Sequence, residues 1–467
     1  MNMSTSTDPS ADGGGVAAAT LASCVRKIKR RVLPLFVIMF IANYIDRVNI
    51  GFVRPHLAAD IGLSAAAYGL GAGLFFIGYA IFEVPSNILL SRLGARAWLT
   101  RIMLTWGVVA MAMAFVKNEE WFYVLRFTLG AAEAGFFPGV IWYLTRWLPA
   151  AERGKAIAIF LSGSALASVI AGPVTGALLQ LPDTGLHSWQ WMFLVEGGVS
   201  VVLAAACWLL LDSLPRDAKW LSDAEKRALS NNIQEEQDRR DASRPEHVSS
   251  WTLLRDPQIA IFCFIYFSVS LTIYGATFWL PSIIKKIGHM SDLTVGFYNS
   301  VPWLISIVAM YIFAALARKY KYQQAWVATA LLIAAAGMFI STMGDSLFAY
   351  IAICFAAVGF KAASSLFWPL PQNFLDQRIA AAVIALINSL GNLGGFVAPA
   401  TFGFLEQHTG SIKGGMIGLS VVSVLAAIVV FFVRDPISPN DGSANAADAA
   451  KPRKPNGNGA HLEAHSH

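Results

Sequence analysis

Two apolar segments of the sequence carry charged residues at helical spacing. In the first, NYIDRVNIGFVRP (43–55), Arg47 directly follows Asp46. In the second, RFTLGAAEAGFFPG (126–139), Arg126 and Glu133 are seven residues apart. Seven residues are nearly two turns of an α-helix, so these two side chains are predicted to face the same way, about 10 Å apart along the axis. A charge inside an apolar helix is costly, and each of these residues therefore needs a functional reason.

The four side chains suit the binding of an anion together with a proton. Guanidinium groups stay charged and hold a carboxylate through two hydrogen bonds, which makes Arg47 and Arg126 candidate anion ligands. Asp46 and Glu133 are candidate proton carriers, because burial favours a neutral carboxyl while a nearby arginine favours the charged one. The alternative is that the same residues form structural ion pairs, although buried pairs stabilise poorly compared with apolar packing.

A third segment, GFKAASSLFWPLPQNF (359–374), is predicted to carry Lys361, Ser365 and Trp368 along one helix face. Asn388 and Asn392, four residues apart, are predicted to share a face of the next helix. Apart from Lys361, these groups are neutral and suited to recognising hydroxyls or rings on a substrate. Lys361 could bind a second substrate carboxylate or pair with an acid across a binding cavity, and Trp368 could equally serve bundle packing.

The composition indicates what kind of elements hold these residues. The chain has 467 residues, of which 56% are hydrophobic and only 14% are charged. A soluble protein carries about 25% charged residues, so charge this sparse excludes a soluble enzyme, a disulfide scaffold and a disordered protein. The net charge of +6 arises from short basic runs between apolar segments, which are typical of membrane topology signals, and no nucleic-acid binding is predicted.

About twelve apolar segments are long enough to cross a bilayer as helices. They lie near 32–53, 65–90, 97–116, 121–145, 154–180, 191–211, 257–284, 295–317, 325–343, 347–369, 379–405 and 415–433. The short loops on the side of the amino terminus carry fourteen Lys and Arg residues, against five on the other side. The positive-inside rule therefore predicts an all-α polytopic membrane protein with both termini in the cytoplasm.

Five regions are predicted along the chain. They are a cytoplasmic amino-terminal tail (1–31, disordered over 1–25), a six-helix bundle (32–211), a cytoplasmic linker (212–256), a second six-helix bundle (257–434) and a disordered cytoplasmic tail (435–467). Within the linker, Ser222 and Glu225 form a capping-box pattern that predicts a surface helix. Because its charges are dense and mixed in sign, we interpret this helix as a solvated tether between the bundles.

The two predicted bundles resemble each other. The segment SGSALASVIAGPVTG (162–176) aligns with NSLGNLGGFVAPATFG (388–403), with Pro173 over Pro399. A six-plus-six duplication is typical of a large class of transporters that hold the substrate between the two halves near the membrane midplane. The glycines alone could be explained by helix packing, but packing does not explain a repeat at matching positions.

The chain resembles the major facilitator superfamily (MFS), and within it the anion:cation symporter branch. The resemblance covers about residues 30–435 and rests on NYIDRVNIGF, FEVPSNILLSRLGAR (82–96), RFTLGAAEAGFFPG and ALINSLGNLGGFVAPATFG (385–403). It implies the MFS fold of two pseudo-symmetric six-helix bundles and proton-coupled uptake of a small organic anion by alternating access. The anion would be a sugar acid, a dicarboxylate or an aromatic acid. We expect a monomer in the bacterial inner membrane, with the lipid bilayer, protons and the anion as partners.

The resemblance also implies roles for individual residues. In the family pattern, the arginines of helices 1 and 4 contact the anion and the acids of the same helices handle protons. The matching positions are Arg47 and Arg126 for the anion, and Asp46 and Glu133 for protons. Further positions near the substrate are Tyr44, Tyr79 and Asn392. Ser164 is another candidate contact, and it stands where some sugar-acid carriers have a larger amide.

The loop between predicted helices 2 and 3 departs from the superfamily pattern G-x-x-x-D-R-x-G-R. Asn87 stands at the position of the first glycine and Ser91 at that of the acid, so the sequence lacks the acid of the usual gating ion pair. The candidate gating or structural residues in and before this loop are Glu83, Arg92, Gly94 and Arg96.

Four rival functions follow from the same sequence, one of them a transporter-derived receptor, although the tails and the central loop carry no recognisable signalling module. A drug/proton antiporter of the same fold would favour cationic or neutral amphiphiles, against which two buried arginines and Lys361 argue. A uniporter would not need four charges inside the membrane. A membrane-embedded enzyme would need a nucleophile–base or metal cluster, and the histidines and the four isolated cysteines have no such spacing. No catalytic residue, metal site or cofactor is predicted.

Overall fold

The computed structural model describes residues 9–241, 257–288, 290–320, 322–374 and 380–434. The predicted tail 435–467, residues 242–256 of the predicted linker and residues 1–8 lie outside these ranges. The first half contains α1 Pro9–Val48, α2 Ile50–Ile61, α3 Ala65–Leu93, α4 Ala95–Ala112, α5 Glu119–Glu133, α6 Phe136–Trp147, α7 Ala150–Leu178 and α8 Ser188–Leu210. The linker contains α9 Asp223–Asp241. The second half contains α10 Pro257–Lys285, α11 Asp292–Tyr320, α12 Gln323–Ile340, α13 Ser346–Phe367, α14 Pro369–Phe374, α15 Ala380–Asn392, α16 Gly394–Thr409 and α17 Lys413–Val429.

Twelve helical spans in the described part of the chain are long and apolar enough to cross a membrane, which confirms the prediction. Four of them consist of two consecutive helices: span 1 (α1 with α2), span 4 (α5 with α6), span 10 (α13 with α14) and span 11 (α15 with α16). The other spans are single helices, with α3 and α4 as spans 2 and 3, α7 and α8 as spans 5 and 6, α10 to α12 as spans 7 to 9 and α17 as span 12.

The four composite spans break close to the candidate functional residues, whereas the sequence predicted them as continuous helices. Span 1 breaks at Asn49 and span 11 at Leu393. Span 4 breaks before Gly135, whose φ of +88° lies in the left-handed region that favours glycine. Span 10 breaks at Trp368, directly before Pro369, which has no backbone N–H to continue the helix.

The internal duplication is visible in how the halves pack against each other. Gly172 of span 5 faces Gly296 of span 8, and a β-carbon built on Gly172 would lie 3.0 Å from the carbonyl carbon of Gly296. In the related pair, Gly69 of span 2 faces Gly403 of span 11, and a β-carbon on Gly69 would lie 2.9 Å from the Cα of Gly403. Spans 5 and 11 correspond under the duplication, so both crossings use small residues for the same reason.

The halves meet at the end of the spans farthest from α9, which we call the far end. There Arg54 Nη2 pairs with Glu406 Oε2 at 2.6 Å, and Trp279 Nε1 donates to the same oxygen at 2.8 Å. His56 Nε2 lies 3.4 Å from Asp292 Oδ2. The Arg54–Glu406 and His56–Asp292 contacts each join a residue of the first half to one of the second, so the far end is closed in this structure.

The amino-terminal segment differs from the prediction. The sequence indicated disorder over residues 1–25, but α1 begins at Pro9, and Cys24 and Ile28 are fully buried. The prediction is wrong for residues 9–25 because the alanine-rich stretch has high helix propensity and gains a partner in α9. Ser23 Oγ donates to Glu225 at 3.0 Å, and Lys27 Nζ does so at 2.9 Å.

The linker helix was predicted in the right place but not with the right surroundings. Its capping box is present, since Ser222 N donates to Glu225 at 3.0 Å and Glu225 N donates to Ser222 Oγ at 3.3 Å. The helix is not a solvated tether, however, because Leu229 is 1% exposed and packs into the core of the first half. Its first turns are therefore part of the first bundle.

Candidate functional site

Arg47 and Glu133 form an ion pair in the middle of the first half. Arg47 Nη2 contacts Glu133 Oε1, with side-chain exposures of 17% and 1%. Arg47 lies just before the break in span 1 and Glu133 is the last residue of α5, so both breaks place these side chains together. The Arg47 guanidinium also stands over the rings of Phe75 and Tyr79, at 5.2 and 5.5 Å from their centroids. The pair combines a fixed cation with a group that can take up a proton.

Arg126 is the second buried cation, and its surroundings are different. It is 1% exposed and lies 5.0 Å from the centroid of Phe75, the ring that also contacts Arg47. Its closest hydrogen bond is long, from Nη2 to the carbonyl of Ala72 at 3.5 Å, and its Nε has no partner. Within the described residues, no carboxylate lies within 4 Å of this guanidinium. A buried guanidinium without a counter-charge is a poor structural element and a ready anion site.

Asp46 does not join Arg47 and Glu133. Its Oδ2 accepts hydrogen bonds from Trp106 Nε1 at 2.5 Å and Ser200 Oγ at 3.0 Å, so it faces spans 3 and 6. Asp46 is 2% exposed. The sequence analysis grouped Asp46 with Arg47, Arg126 and Glu133, but adjacent helical residues are about 100° apart, and here Asp46 and Arg47 enter separate environments.

Glu196 of span 6 is a buried acid that the sequence analysis missed. It is 6% exposed and accepts hydrogen bonds from Asn49 Nδ2 at 2.7 Å and Thr175 Oγ1 at 2.8 Å. The signal that would have found it is an acid inside the apolar run WMFLVEGGVSVVL, which is costly at that depth.

The second half contributes Tyr274 and Lys361. Tyr274 of span 7 packs edge-on against Phe76 of span 2, with ring centroids 4.5 Å apart, and lies within electrostatic range of both Arg47 and Lys361. Lys361 is half-buried on span 10, and no carboxylate of the described chain lies within 4 Å of it. Of the two predicted roles for Lys361, an ion pair with an acid is therefore not formed in this structure.

The other predicted contacts are less direct. Tyr44 is 9% exposed and packs against Ala167 and Ala171 of span 5. Trp368 packs against Tyr266, with centroids 4.8 Å apart, as bundle packing would require. Two serine hydroxyls bond within their own helices, Ser164 to Leu161 O at 2.9 Å and Ser365 to Ala362 O at 3.1 Å. Half-buried positions are occupied by Tyr79, Asn388 and Asn392.

The loop between spans 2 and 3 holds no gating ion pair among the described residues. Gly94 ends α3 with φ +86°, a conformation that favours glycine. Arg96 Nε donates to Trp208 O at 2.7 Å, and its guanidinium lies over the Trp208 ring at 4.4 Å. Arg92 is exposed. Glu83 is half-buried, and its backbone carbonyl accepts a hydrogen bond from the side chain of Asn87, one helical turn later. Residue Ser91 offers no carboxylate at the position where the superfamily pattern has one.

A twelve-span fold of two related halves, with buried cations and acids at helix breaks, defines a class of membrane transporter. The profile of the Major Facilitator Superfamily matches residues 36–399, and the chain belongs to that family. Its fold and its relatives are those of transporters, not of enzymes. The relatives place the chain in the anion:cation-type branch of the family.

Three similar proteins illustrate the relationship. A quinolone resistance transporter of Acinetobacter baumannii is 40% identical over 88% of this chain and 94% of its own length. A protein of Agrobacterium vitis named as a candidate tartrate transporter is 39% identical over 90% of this chain and 96% of its own. A solved bacterial homologue of the human lysosomal transporter Spinster superposes with a TM-score of 0.73 at 17% identity, covering 87% of this chain and 98% of that one. The last likeness concerns the fold alone.

Proposed function

We propose that this protein is a proton-coupled symporter that takes up a small organic anion with at least one carboxylate by alternating access. We further propose a monomer in the bacterial inner membrane, with α9 and both termini on the cytoplasmic side. The observation that carries the proposal is Arg126, a guanidinium that is 1% exposed and has no carboxylate within 4 Å in the described chain. Such a group gains most from an incoming anion, because its desolvation is already complete.

The Arg47–Glu133 pair provides a reason for coupling the anion to a proton. While Glu133 is ionised, it occupies Arg47, and its charge repels a substrate carboxylate. When Glu133 takes up a proton, Arg47 is released, so both arginines beside Phe75 become available to the anion. Proton and anion then bind with positive coupling, and each raises the affinity for the other.

The relative named as a candidate tartrate transporter supports a carboxylate substrate. The relative named as a quinolone resistance transporter favours a second candidate function, proton-driven export of a drug. The two candidates differ in the direction of the coupled fluxes. A symporter accumulates substrate on the side to which protons flow, whereas an antiporter moves substrate against the proton flow.

The test is uptake into proteoliposomes of a panel of sugar acids, dicarboxylates, aromatic acids and a quinolone, with the pH gradient inward, absent or outward. We expect at least one carboxylate to accumulate only under an inward proton gradient. Arg126→Lys should lose binding of that compound, because a point charge cannot replace the bidentate grip. Arg146→Lys, an exposed position on the same span, is the matched control. Unchanged affinity in Arg126→Lys, or accumulation driven only by an outward gradient, would reject the proposal.

A further inference from the structure

Asp46 of span 1 and Glu196 of span 6 are two buried carboxyls that lie apart from the Arg47–Glu133 pair. Each of them faces the helix that carries the other. Asp46 and Asn49 lie three residues apart on span 1, and Glu196 and Ser200 lie four apart on span 6. Asn49 donates to Glu196 at 2.7 Å, and Ser200 donates to Asp46 at 3.0 Å, so the hydrogen bonds cross between the same two helices. The two acids are 2% and 6% exposed.

All donors to these carboxyls are neutral. Asp46 Oδ2 accepts from Trp106 and Ser200, and the two oxygens of Glu196 accept from Thr175 and Asn49. Within the described chain, no Lys, Arg or His nitrogen lies within 4 Å of either acid. Asp46 Oδ1 is buried without any hydrogen-bond partner. Two ionised carboxylates at such a place would be doubly penalised, by burial and by mutual repulsion.

We propose that Asp46 and Glu196 form a proton-binding carboxyl pair, separate from Glu133, that holds one proton between them. The oxygen available to bind that proton is Asp46 Oδ1, since the other three carboxylate oxygens already accept hydrogen bonds. Binding adds a proton from water to one carboxylate oxygen, and release returns it to water, with no other bond changed. A metal cation fits less well, because it takes about six oxygen ligands and only Asp46 Oδ1 and Asn49 Oδ1 are free.

The charged groups around the pair are few. The ionisable groups beside it are Glu133, whose charge acts on Asp46, and Arg47, which follows Asp46 in the chain and is paired with Glu133. Span 3 presents Trp106 to the pair and span 5 presents Thr175, both of them neutral donors. A bound proton is therefore the counter-charge that can neutralise this pair.

The pair is connected to the break in span 1. Asn49, which holds Glu196, is the residue between α1 and α2. Two residues further, Gly51 packs against span 7, and a β-carbon built on it would lie 3.3 Å from the carbonyl oxygen of Phe278. Loss of the proton would alter the hydrogen bond between Asn49 and Glu196 and, through α2, the contact between the halves. This coupling step rests on the proposed function, whereas the proton site itself does not.

The proton site is tested by infrared difference spectroscopy on the full-length protein in lipid, titrated from about pH 5 to about pH 9. The background is Glu133→Gln, which removes the carboxyl of the other proposed proton carrier. We expect a carbonyl band of a protonated, buried carboxyl at neutral pH, which Glu196→Gln and Asp46→Asn each abolish or shift. Glu225→Gln, which removes a carboxylate paired with Lys27, should leave the band unchanged. If Glu196→Gln does not fold, Glu196→Asp should shift the band and its titration midpoint.

Two results would overturn the proposal that Asp46 and Glu196 bind a proton as a pair. One is a band that is absent, or that neither substitution at position 196 changes. The other is a band that disappears when sodium chloride replaces choline chloride, because a metal ion would then occupy the site. Coupling is measured separately, as the number of protons moved per anion in proteoliposomes, and we expect Glu196→Gln to lower it. If wild-type uptake does not depend on the pH gradient, the proposed function is wrong. The infrared result still tests whether Asp46 and Glu196 bind a proton.

Discussion

The ion pair between Arg47 and Glu133 joins spans 1 and 4, and Arg126 is a second buried cation beside the same phenylalanine. Both guanidinium groups stand about equally far from the Phe75 ring, at 5.2 and 5.0 Å from its centroid. Within the described residues, only Arg47 of the two has a carboxylate within 4 Å. Under the proposed function, the protonation of Glu133 would therefore set the number of cations that the site offers an anion. We propose that Glu133, and not the arginines, links the proton to the substrate.

The first prediction concerns Glu133→Gln, which mimics the protonated acid. Because Arg47 is released, anion binding at alkaline pH should become tighter by about 5–150-fold, the usual range of coupling between two sites, and should lose the pH dependence that Glu133 confers. Exchange of labelled for unlabelled substrate should persist, whereas accumulation driven by a pH gradient should fall well below that of wild type. Isothermal titration and paired counterflow and uptake assays in the same vesicles measure these quantities.

The matched control for this variant is Glu120→Gln, which lies on the same helix at an exposed position. It should bind and accumulate the anion as wild type does. If Glu133→Gln accumulates substrate against its gradient as well as wild type, the proton does not travel through Glu133.

The second prediction concerns Lys361, which has no carboxylate within 4 Å in the described chain and can therefore balance a second substrate charge. Lys361→Ala should weaken binding of dicarboxylates by about 10–150-fold, the equivalent of one charge-assisted hydrogen bond, and affect monocarboxylates much less. Proton coupling should stay intact. Binding of matched mono- and dicarboxylates measures the difference, with exposed Lys413→Ala as control. Equal losses for the two classes would contradict a role in reading the second carboxylate.

Much of this site can be predicted from sequence, because charges in apolar helices stand out against their surroundings. The sequence indicates Arg47, Arg126, Glu133 and Lys361 on that ground. The structure places Arg47 and Arg126 beside Phe75, and Glu133 in contact with Arg47. The twelve spans follow from segment length, and the duplication follows from aligned prolines. These features depend on local composition and on periodicity, which a single sequence displays directly.

Other features depend on tertiary contacts and could not be predicted. Nothing in the sequence shows that Arg47 has a carboxylate partner while Arg126 has none. The separation of Asp46 from Arg47 depends on which donors spans 3 and 6 present, namely Trp106 and Ser200. The order of residues 9–25 likewise depends on a partner about 200 positions away, since Ser23 is bonded to Glu225.

The third prediction concerns the docking of α9 on α1. Burial alone would raise the pKa of Glu225, but hydrogen bonds from Lys27, Ser222 and Ser23 outweigh it and lower the pKa to about 2. Because the pKa of Glu225 is lower in the docked form, its ionised carboxylate stabilises docking at pH values above the ordinary pKa of 4.5. This contribution is lost as the pH falls toward about 2. Glu225→Gln should therefore weaken docking at neutral pH by roughly 1–2 kcal/mol, since half-exposed Lys27 is partly screened by solvent.

Cys24 is the reporter for this docking, because it is fully buried near Glu225. With the other three cysteines replaced, a pyridyl disulfide should label Cys24 about 5–30-fold faster in Glu225→Gln than in the parent at neutral pH. The ratio of the two rates should decline toward one as the pH is lowered below 4.5. Asp238→Asn, on the exposed face of the same helix, is the control. A ratio near one at neutral pH would show that Glu225 does not hold α9.

The last prediction concerns the closed far end, where Gly172 and Gly296 let spans 5 and 8 approach. A β-carbon on Gly172 would meet backbone atoms of Gly296 at 3.0 and 3.2 Å, and backbone cannot move aside as a side chain can. Gly172→Ala should therefore destabilise this closed state by about 1–3 kcal/mol, a typical cost of overpacking. The opposite state, in which the halves part at the far end, should become more populated because it separates these two glycines.

Spin labels at Lys117→Cys and Lys413→Cys, exposed far-end positions in opposite halves, report that separation. In Gly172→Ala the distance distribution should move to longer values, and exchange across the membrane should slow because one of the two alternating states has lost stability. Gly154→Ala is the control on the same helix, since a β-carbon there meets nothing within 4 Å. A Gly172→Ala distribution that matches wild type would mean that the crossing of spans 5 and 8 does not open during transport.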